Sequence, residues 1–152
     1  MKSVHLKIID TNIKTKIPEY ATMGSSGMDL YSTNFEDYVL EPGEIKLFPL
    51  NFSVEIKPND DIEYEIQIRS KSGLALHNGV IVLNAPGTCD FDYRGEVGVI
   101  LCNVSKKPFI VKPQSKIAQM VLQKIEKIKF IEVDRLIETA RGSGGFGSTG
   151  LE

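Results

Sequence analysis

Three short segments and one end of the chain concentrate the side chains that can do chemistry. Asn84-Ala-Pro-Gly-Thr-Cys-Asp-Phe-Asp-Tyr-Arg-Gly-Glu96 sets an amide, two carboxylates and a tyrosine between apolar stretches. Asp90 and Asp92, two apart, share a face if the chain is extended there, and a carboxylate so placed can ligate a hard cation or take a proton from water. Arg69-Ser-Lys-Ser-Gly-Leu74 offers two cations, two hydroxyls and a glycine where a strand runs into a helix start, a setting that suits phosphate oxygens. Gly24-Ser-Ser-Gly-Met-Asp-Leu30 leads small residues into a lone Asp29. Arg141-Gly-Ser-Gly-Gly-Phe-Gly-Ser-Thr-Gly150 satisfies G-x-G-x-x-G with Gly142, Gly144 and Gly147, and Gly142 to Gly147 also have P-loop spacing, with Ser148-Thr149 where Lys-Ser/Thr belongs. Both motifs need a strand before and a helix after, and only Leu151-Glu152 follow.

Each segment also has a plain structural account: a polar hairpin, a helix capped by Ser72, an Asx turn at Asp29. Other chemistries are set aside. The sequence has no HExxH, no GxSxG and no metal-spaced Cys/His cluster. His5 reads as a surface residue of a strand, and a Cys89–His77 nucleophile pair has only nearness in sequence to recommend it. Cys89 and Cys102 make neither a framework nor a CxxC, which fits a reducing compartment. With no leader-like start and no apolar run of membrane length, a soluble cytoplasmic protein is expected. The net charge of −2 argues against a polyanion-coating protein, so no nucleic-acid partner is expected and an anionic ligand must be met by a few placed groups.

These residues must be positioned by strands. Val4-His-Leu-Lys-Ile, Phe52-Ser-Val-Glu-Ile, Ile62-Glu-Tyr-Glu-Ile-Gln-Ile and Val97-Gly-Val-Ile-Leu alternate with period two, and Phe109–Val111 and Ile117–Leu122 are further strands. Pro-Gly, Pro-Asn and Lys-Pro breakers punctuate them. One short helix is expected, over Ser72–Asn78, and Ile125–Phe130 is ambiguous between strand and helix. The pattern predicts an all-β chain of sandwich, jelly-roll or barrel type, and 152 residues suffice for one self-supporting core. From about Glu138 little remains to bury, so a mobile glycine-rich arm over 138–152 is expected after a domain over 1–137.

Read in order, these segments resemble the five motifs of the trimeric deoxyuridine triphosphatase (dUTPase) family: Gly24–Leu30, Ser70–Ala75, Gly87–Glu96, Lys116-Ile-Ala-Gln119 and Arg141–Gly150. The resemblance implies a distorted jelly-roll β-barrel or sandwich, a homotrimer with sites at subunit interfaces, and hydrolysis of dUTP to dUMP and pyrophosphate with Mg²⁺. It implies that Asp90 orients and deprotonates the attacking water, and that Lys71, Ser72, Gly73 and Gln119 hold phosphates. Asn84, with backbone near Thr88 and Cys89, would bond the uracil edge, and Tyr93 would pack beneath the deoxyribose. Mg²⁺ would have no direct protein ligand, Asp29 acting from its outer shell. Arg141 would reach the terminal phosphates and Phe146 would stack on uracil, with Ser143, Gly144, Ser148 and Thr149 as further polar contacts of a closing arm. Lys71 stands where arginine is usual, which replaces a bidentate fork by one ammonium, with Arg69 placed to compensate. Cys89 replaces a branched aliphatic and Phe91 a small residue. Deoxycytidine triphosphate deaminases share the fold, but lack the Asp-x-Asp-Tyr-Arg-Gly run and this glycine-rich end. A trimer that binds nucleotide without catalysis is the reading of a different class, and the presence of Asp90, Ser72, Gln119 and Tyr93 opposes it.

Overall fold

The structure, a computed structural model, describes residues 3–57 and 63–145. It contains eleven strands and one helix among those residues, and no helix is long and apolar enough to cross a membrane. The strands are β1 (Val4–Ile8), β2 (Met28–Tyr31), β3 (Tyr38–Leu40), β4 (Ile45–Pro49), β5 (Phe52–Ile56), β6 (Glu63–Arg69), β7 (Val80–Val82), β8 (Gly87–Cys89), β9 (Gly98–Asn103), β10 (Phe109–Val111) and β11 (Lys116–Ile125). The helix, α1, is Ser72–Asn78.

All pairings are antiparallel and most join strands distant in sequence, giving a distorted jelly roll of four small sheets: β1-β5, β10-β3, β2-β11-β6-β8 and β4-β9-β7. Period-two alternation drives the layering. In β5, Phe52, Val54 and Ile56 are buried while Ser53 and Glu55 face outward. In β6, Ile66 and Ile68 enter the core and Glu65, Gln67 and Arg69 form a polar stripe on the other face. The two faces meet in one core of Leu30, Leu40, Leu50, Phe52, Ile56, Leu101, Ile117 and their neighbours, each full burial stabilising by roughly 1.5–3 kcal/mol.

Polar pins close the gaps between sheets. Buried Asn103 donates through Nδ2 to the Leu40 carbonyl at 2.9 Å and the Lys107 carbonyl at 2.8 Å, tying β9 to the β3–β10 layer. Asn51 anchors the loop after β1 through Asp10 and Thr15, and its N–H donates to Glu96 Oε1 at 2.7 Å. Gly79 ends α1 at φ 63°, its N–H bonding Ala75, and a Cβ there would stand 2.8 Å from Ser105 Cβ, so glycine is required twice over.

The β4-β9-β7 sheet is apolar on both faces. Phe48 and Val99 pack inward, whereas Ile45 and Leu47, 58% and 57% exposed, point outward opposite Cys102 and Ile100. A second uncovered stretch follows β11, where Ile128, Phe130, Ile131, Leu136 and Ile137 are all exposed. Residues 126–145 contain neither strand nor helix, so the ambiguous Ile125–Phe130 segment contributes only Ile125 to β11.

Candidate active site

Sheet order brings the chemically rich segments together. β2 carries Asp29, β11 carries Gln119, β6 delivers Lys71 to the start of α1, and β8 leads into Asp90. Asp29, Gln119 and Arg69 occupy one row across three strands. Two groups of side chains result.

The first group lines a cleft of about 380 Å³. Asn84, Gly87, Thr88, Cys89, Asp90 and Tyr93 form its polar side, and Leu47, Pro49 and Ile100 continue it onto the outward apolar face of β4 and β9. β8 is an edge strand: β6 takes one side of it and no strand among the described residues takes the other. An unpaired strand edge presents backbone N–H and C=O groups in a plane, as a heterocyclic base edge would require. Gly87 permits the approach of Asn84, whose Nδ2 is 2.9 Å from where a Cβ would stand. Beyond β8 the chain turns, the Tyr93 N–H donating to the Asp90 carbonyl at 3.1 Å. This turn corrects one expectation. Asp90 and Asp92 do not share a face, because the chain between them is not extended; Asp90 faces the cleft and Asp92 does not line it. Phe91 instead packs against the core and holds the turn down.

Tyr93 is braced. Its hydroxyl donates to the Glu96 carbonyl at 2.9 Å, and its ring lies over Gly95 so closely that a Cβ there would be 2.4 Å from Oη. Burial, then the charges of Asp90 and Glu65, push the Cys89 thiol up from its ordinary value. The shift lowers the thiolate fraction on which a Cys89–His77 nucleophile pair would draw.

The second group is built on Asp29, which is 8% exposed. Both its oxygens are taken by ammonium groups: Lys71 Nζ pairs with Oδ1, and Lys116 Nζ lies 2.6 Å from Oδ2. Burial pushes the Asp29 carboxyl up, but the hydrogen bonds and charges of Lys116 and Lys71 outweigh it and hold the group below its ordinary value. Lys71 therefore keeps a contact with Asp29 despite standing where arginine is usual. Arg69 does not compensate in this cluster, because its guanidinium is turned back along β6 and donates to Gln67 Oε1 through Nε at 3.0 Å. Gln119 Nε2 donates to the Ser70 carbonyl at 3.0 Å, and Ser70 Oγ accepts from the Val82 N–H at 2.8 Å, so the loop before α1 is fixed from two sides. Gln119 Oε1 fills the space a Gly27 Cβ would occupy, 2.6 Å away.

The helix cap differs from expectation. Ser72 is the first residue of α1 and Lys71, extended at φ −85°, ψ 125°, is its N-cap with no side-chain hydrogen bond. The exposed Ser72 hydroxyl and the first-turn N–H groups near Gly73 are thus not consumed by capping. Sequence reasoning missed Lys116 as a site residue, although the ion pair across β2 and β11 had a signal in the run Lys116-Ile-Ala-Gln119.

Ser72, Gly73, Lys71 and Gln119 do not line the cleft that holds Asp90. Neither does Arg141, which is exposed and donates through Nε to the Gly144 carbonyl at 2.9 Å in a local turn with Gly142 at φ 53°. Ser143 and Gly144 belong to that turn. Phe146, Ser148 and Thr149 lie outside the described residues.

An antiparallel jelly roll whose edge strand and interstrand cation cluster flank a carboxylate-bearing cleft is a framework able to bind a small polar ligand. Comparison with known proteins narrows the class. Residues 14–150 match the dUTPase family. A deoxyuridine 5'-triphosphate nucleotidohydrolase of Rickettsia bellii is 48% identical over 148 residues, covering 97% of this chain and 95% of its own. One from Chlamydia muridarum is 50% identical over 137 residues, covering 90% and 92%. The fold is that of the dUTPase of Staphylococcus bacteriophage 80alpha, solved with dUpNHpp, at TM-score 0.80 and 22% identity over 99% of this chain and 100% of that one. It is also that of a mutant dUTPase from phage phi11 of S. aureus, whose structure details the coordination of a structural Mg(II) ion, at TM-score 0.75 and 19% identity over 90% of this chain and 99% of that one. The chain belongs to the dUTPase family and is an enzyme, a nucleotide hydrolase.

Proposed function

We propose that this chain hydrolyses dUTP to dUMP and pyrophosphate by attack of water on the α-phosphate, in a homotrimer whose sites form between subunits. The observation that carries the reading is Asp90, an exposed carboxylate at the end of an edge strand, in one cleft with Asn84 and Tyr93. Its oxygens are taken by no other side chain among the described residues, leaving them free to orient a water and receive its proton. Asn84 and the open edge of β8 at Thr88 and Cys89 bond the uracil edge. Tyr93, its ring fixed by Glu96 and Gly95, packs beneath the deoxyribose and leaves no space for a 2′-hydroxyl. Lys71, Ser72, Gly73, Gln119 and Arg141 hold the phosphates, with Ser143 and Gly144 as further polar contacts, and Phe146 stacks on the uracil.

The donor set bears on the metal. The described residues contain no group of three or more His, Cys, Asp or Glu suited to hold an ion, and Asp29 is already neutralised by two lysines. Mg²⁺ would be carried by the substrate's phosphates and water, and Asp29 would reach it through water only where Lys71 or Lys116 gives way on its oxygens. When bound, the ion offsets charge that develops on the phosphates.

Three features support assembly from several copies. The phosphate-binding groups and the Asp90 cleft are separate in one chain; the apolar outer face of β4 and β9 runs into the cleft through Leu47, Pro49 and Ile100; and the apolar side chains after β11 are uncovered. A cytoplasmic enzyme of this kind would limit uracil incorporation into DNA and supply dUMP for thymidylate synthesis. Pyrophosphate release measured over dUTP, dTTP, dCTP and UTP, with and without Mg²⁺, tests the reading. Mg²⁺-dependent release from dUTP alone is expected, and equal turnover of the four nucleotides would overturn it. Light scattering reads the mass, three copies being expected.

A further inference from the structure

Strict alternation would turn Lys116 into the core. Gln119 shares a row with Asp29, Ala118 faces inward at 0% exposure, and continuing the pleat would put Ile117 outside and Lys116 inside. A bulge prevents this. Lys116 stands opposite Tyr31 and Ala118 opposite Leu30, so two steps along β11 match one along β2. Ile117 and Ala118 are consequently both buried, and Lys116 emerges beside Asp29. Bulges that re-aim a side chain in this way are frequent next to active sites.

The charge at this point exceeds what folding needs. One cation neutralises one carboxylate, yet Asp29 carries two, Lys71 on Oδ1 and Lys116 on Oδ2. A third ammonium, Lys16, lies 4.5 Å from the ring centroid of Tyr31, the residue paired with Lys116. The Lys116 side chain is 48% exposed and an ammonium has three donors, of which Asp29 engages one. Gln119 lies three residues along the same strand, and Lys71 leads directly into Ser72 and Gly73. The surplus positive charge therefore sits among the groups already assigned to phosphates, with donors still free.

We propose that Lys116 is a second phosphate-binding cation of the triphosphate site, and that Asp29 positions its ammonium and that of Lys71 on either side of one carboxylate. This rests on the reading of the chain as a dUTP hydrolase. The test uses the full chain with Lys116→Gln and Lys116→Arg, and two ligands: dUpNHpp, which carries three phosphate groups, and deoxyuridine, which carries none. Loss of one charge-assisted contact predicts that Lys116→Gln weakens dUpNHpp binding and raises KM for dUTP by roughly ten- to a hundred-fold. Inhibition by deoxyuridine stays unchanged and kcat moves far less than KM. Lys116→Arg recovers most of the affinity. Equal weakening towards deoxyuridine and dUpNHpp, or no change towards either, overturns the proposal. If the unmodified chain neither binds dUpNHpp nor hydrolyses dUTP, the functional reading has failed instead, so the two failures are distinct.

Discussion

Gly95→Ala isolates the sugar-reading role assigned to Tyr93 without touching that side chain. The backbone at Gly95 is not left-handed, so alanine meets no conformational penalty there. Its methyl group, however, would stand 2.4 Å from Tyr93 Oη, 2.5 Å from Cζ and 2.9 Å from Cε2. No carbon approaches a phenol ring that closely, and the part struck is the far end of a side chain 42% exposed to solvent. The ring therefore swings out while the main chain stays. Folding loses the hydrogen bond from Tyr93 Oη to the Glu96 carbonyl, worth about 0.5–1.5 kcal/mol in a net sense. It regains about 0.4–1 kcal/mol from the stiffer unfolded chain, so the two nearly cancel and the melting temperature moves by a few degrees at most. Selectivity does not cancel. With the ring displaced, the space beneath the sugar opens, and the ratio of kcat/KM for dUTP over UTP falls by roughly 10- to 100-fold. Calorimetry and pyrophosphate release with the two nucleotides measure both effects in one preparation. An unchanged dUTP/UTP ratio in a folded variant would refute the role of Tyr93, and a collapse in melting temperature would refute the packing argument.

The other expectations are independent of this one. Asp90→Asn keeps dUpNHpp affinity but lowers turnover by roughly 10²–10⁴-fold, since it removes the proton acceptor and leaves the binding groups; near-normal pyrophosphate release would exclude Asp90 as the base. The Asp29 carboxyl is depressed in the folded chain, so its contribution is complete above the unfolded value, about pH 4, and is lost as pH falls through the lower folded value. Urea unfolding should show wild type more stable than Asp29→Asn by about 1–3 kcal/mol from pH 8 to 5, the difference closing in acid; a difference independent of pH would falsify the ion-pair account. Deleting residues 141–152 should abolish most turnover while leaving the melting temperature nearly unchanged, because Arg141, Gly142 and Ser143 are exposed and bonded only locally; full turnover in the truncated chain would disprove a catalytic arm.

The sequence was legible where apolar and polar residues alternate strictly over a whole strand. β1 and β5 were read from Val4–Ile8 and Phe52–Ile56 with their bounds intact, because apolar and polar residues alternate there in phase. It was opaque where an element owes its existence to a distant partner. Gly87-Thr88-Cys89 has no strand-like pattern, yet it pairs with Ile66–Ile68 as the edge of the main sheet. Ile45–Pro49 was missed because Leu47 and Phe48 are adjacent apolar residues on opposite faces, which breaks the alternation. Ile117-Ala118 gave no warning that two adjacent inward residues mark a bulge. In the candidate site, spacing paired Asp90 with Asp92 on the condition of an extended chain, and that condition fails, since a turn between two carboxylates cannot be told from an extended dipeptide without knowing where the strand ends. The cap at α1 failed for a similar reason: serine is a good cap, but the chain enters the helix one residue earlier, at Lys71.

β11 has a consequence for how the enzyme comes into being. It is the only strand joined to both β2 and β6, and β2 has no other strand neighbour among the described residues. During synthesis Asp29 is made early, but the row that aligns it with Gln119 and Arg69 waits until β11 has been made. The Asp29 cluster therefore cannot form in stages along the nascent chain. Long-range pairings of this kind slow folding, and here the last strand laid into the sheet is also the one that completes the cation cluster. The cation cluster and the completed sheet then arise in the same step, ahead of the assembly and arm closure that the proposed enzyme would also need for turnover.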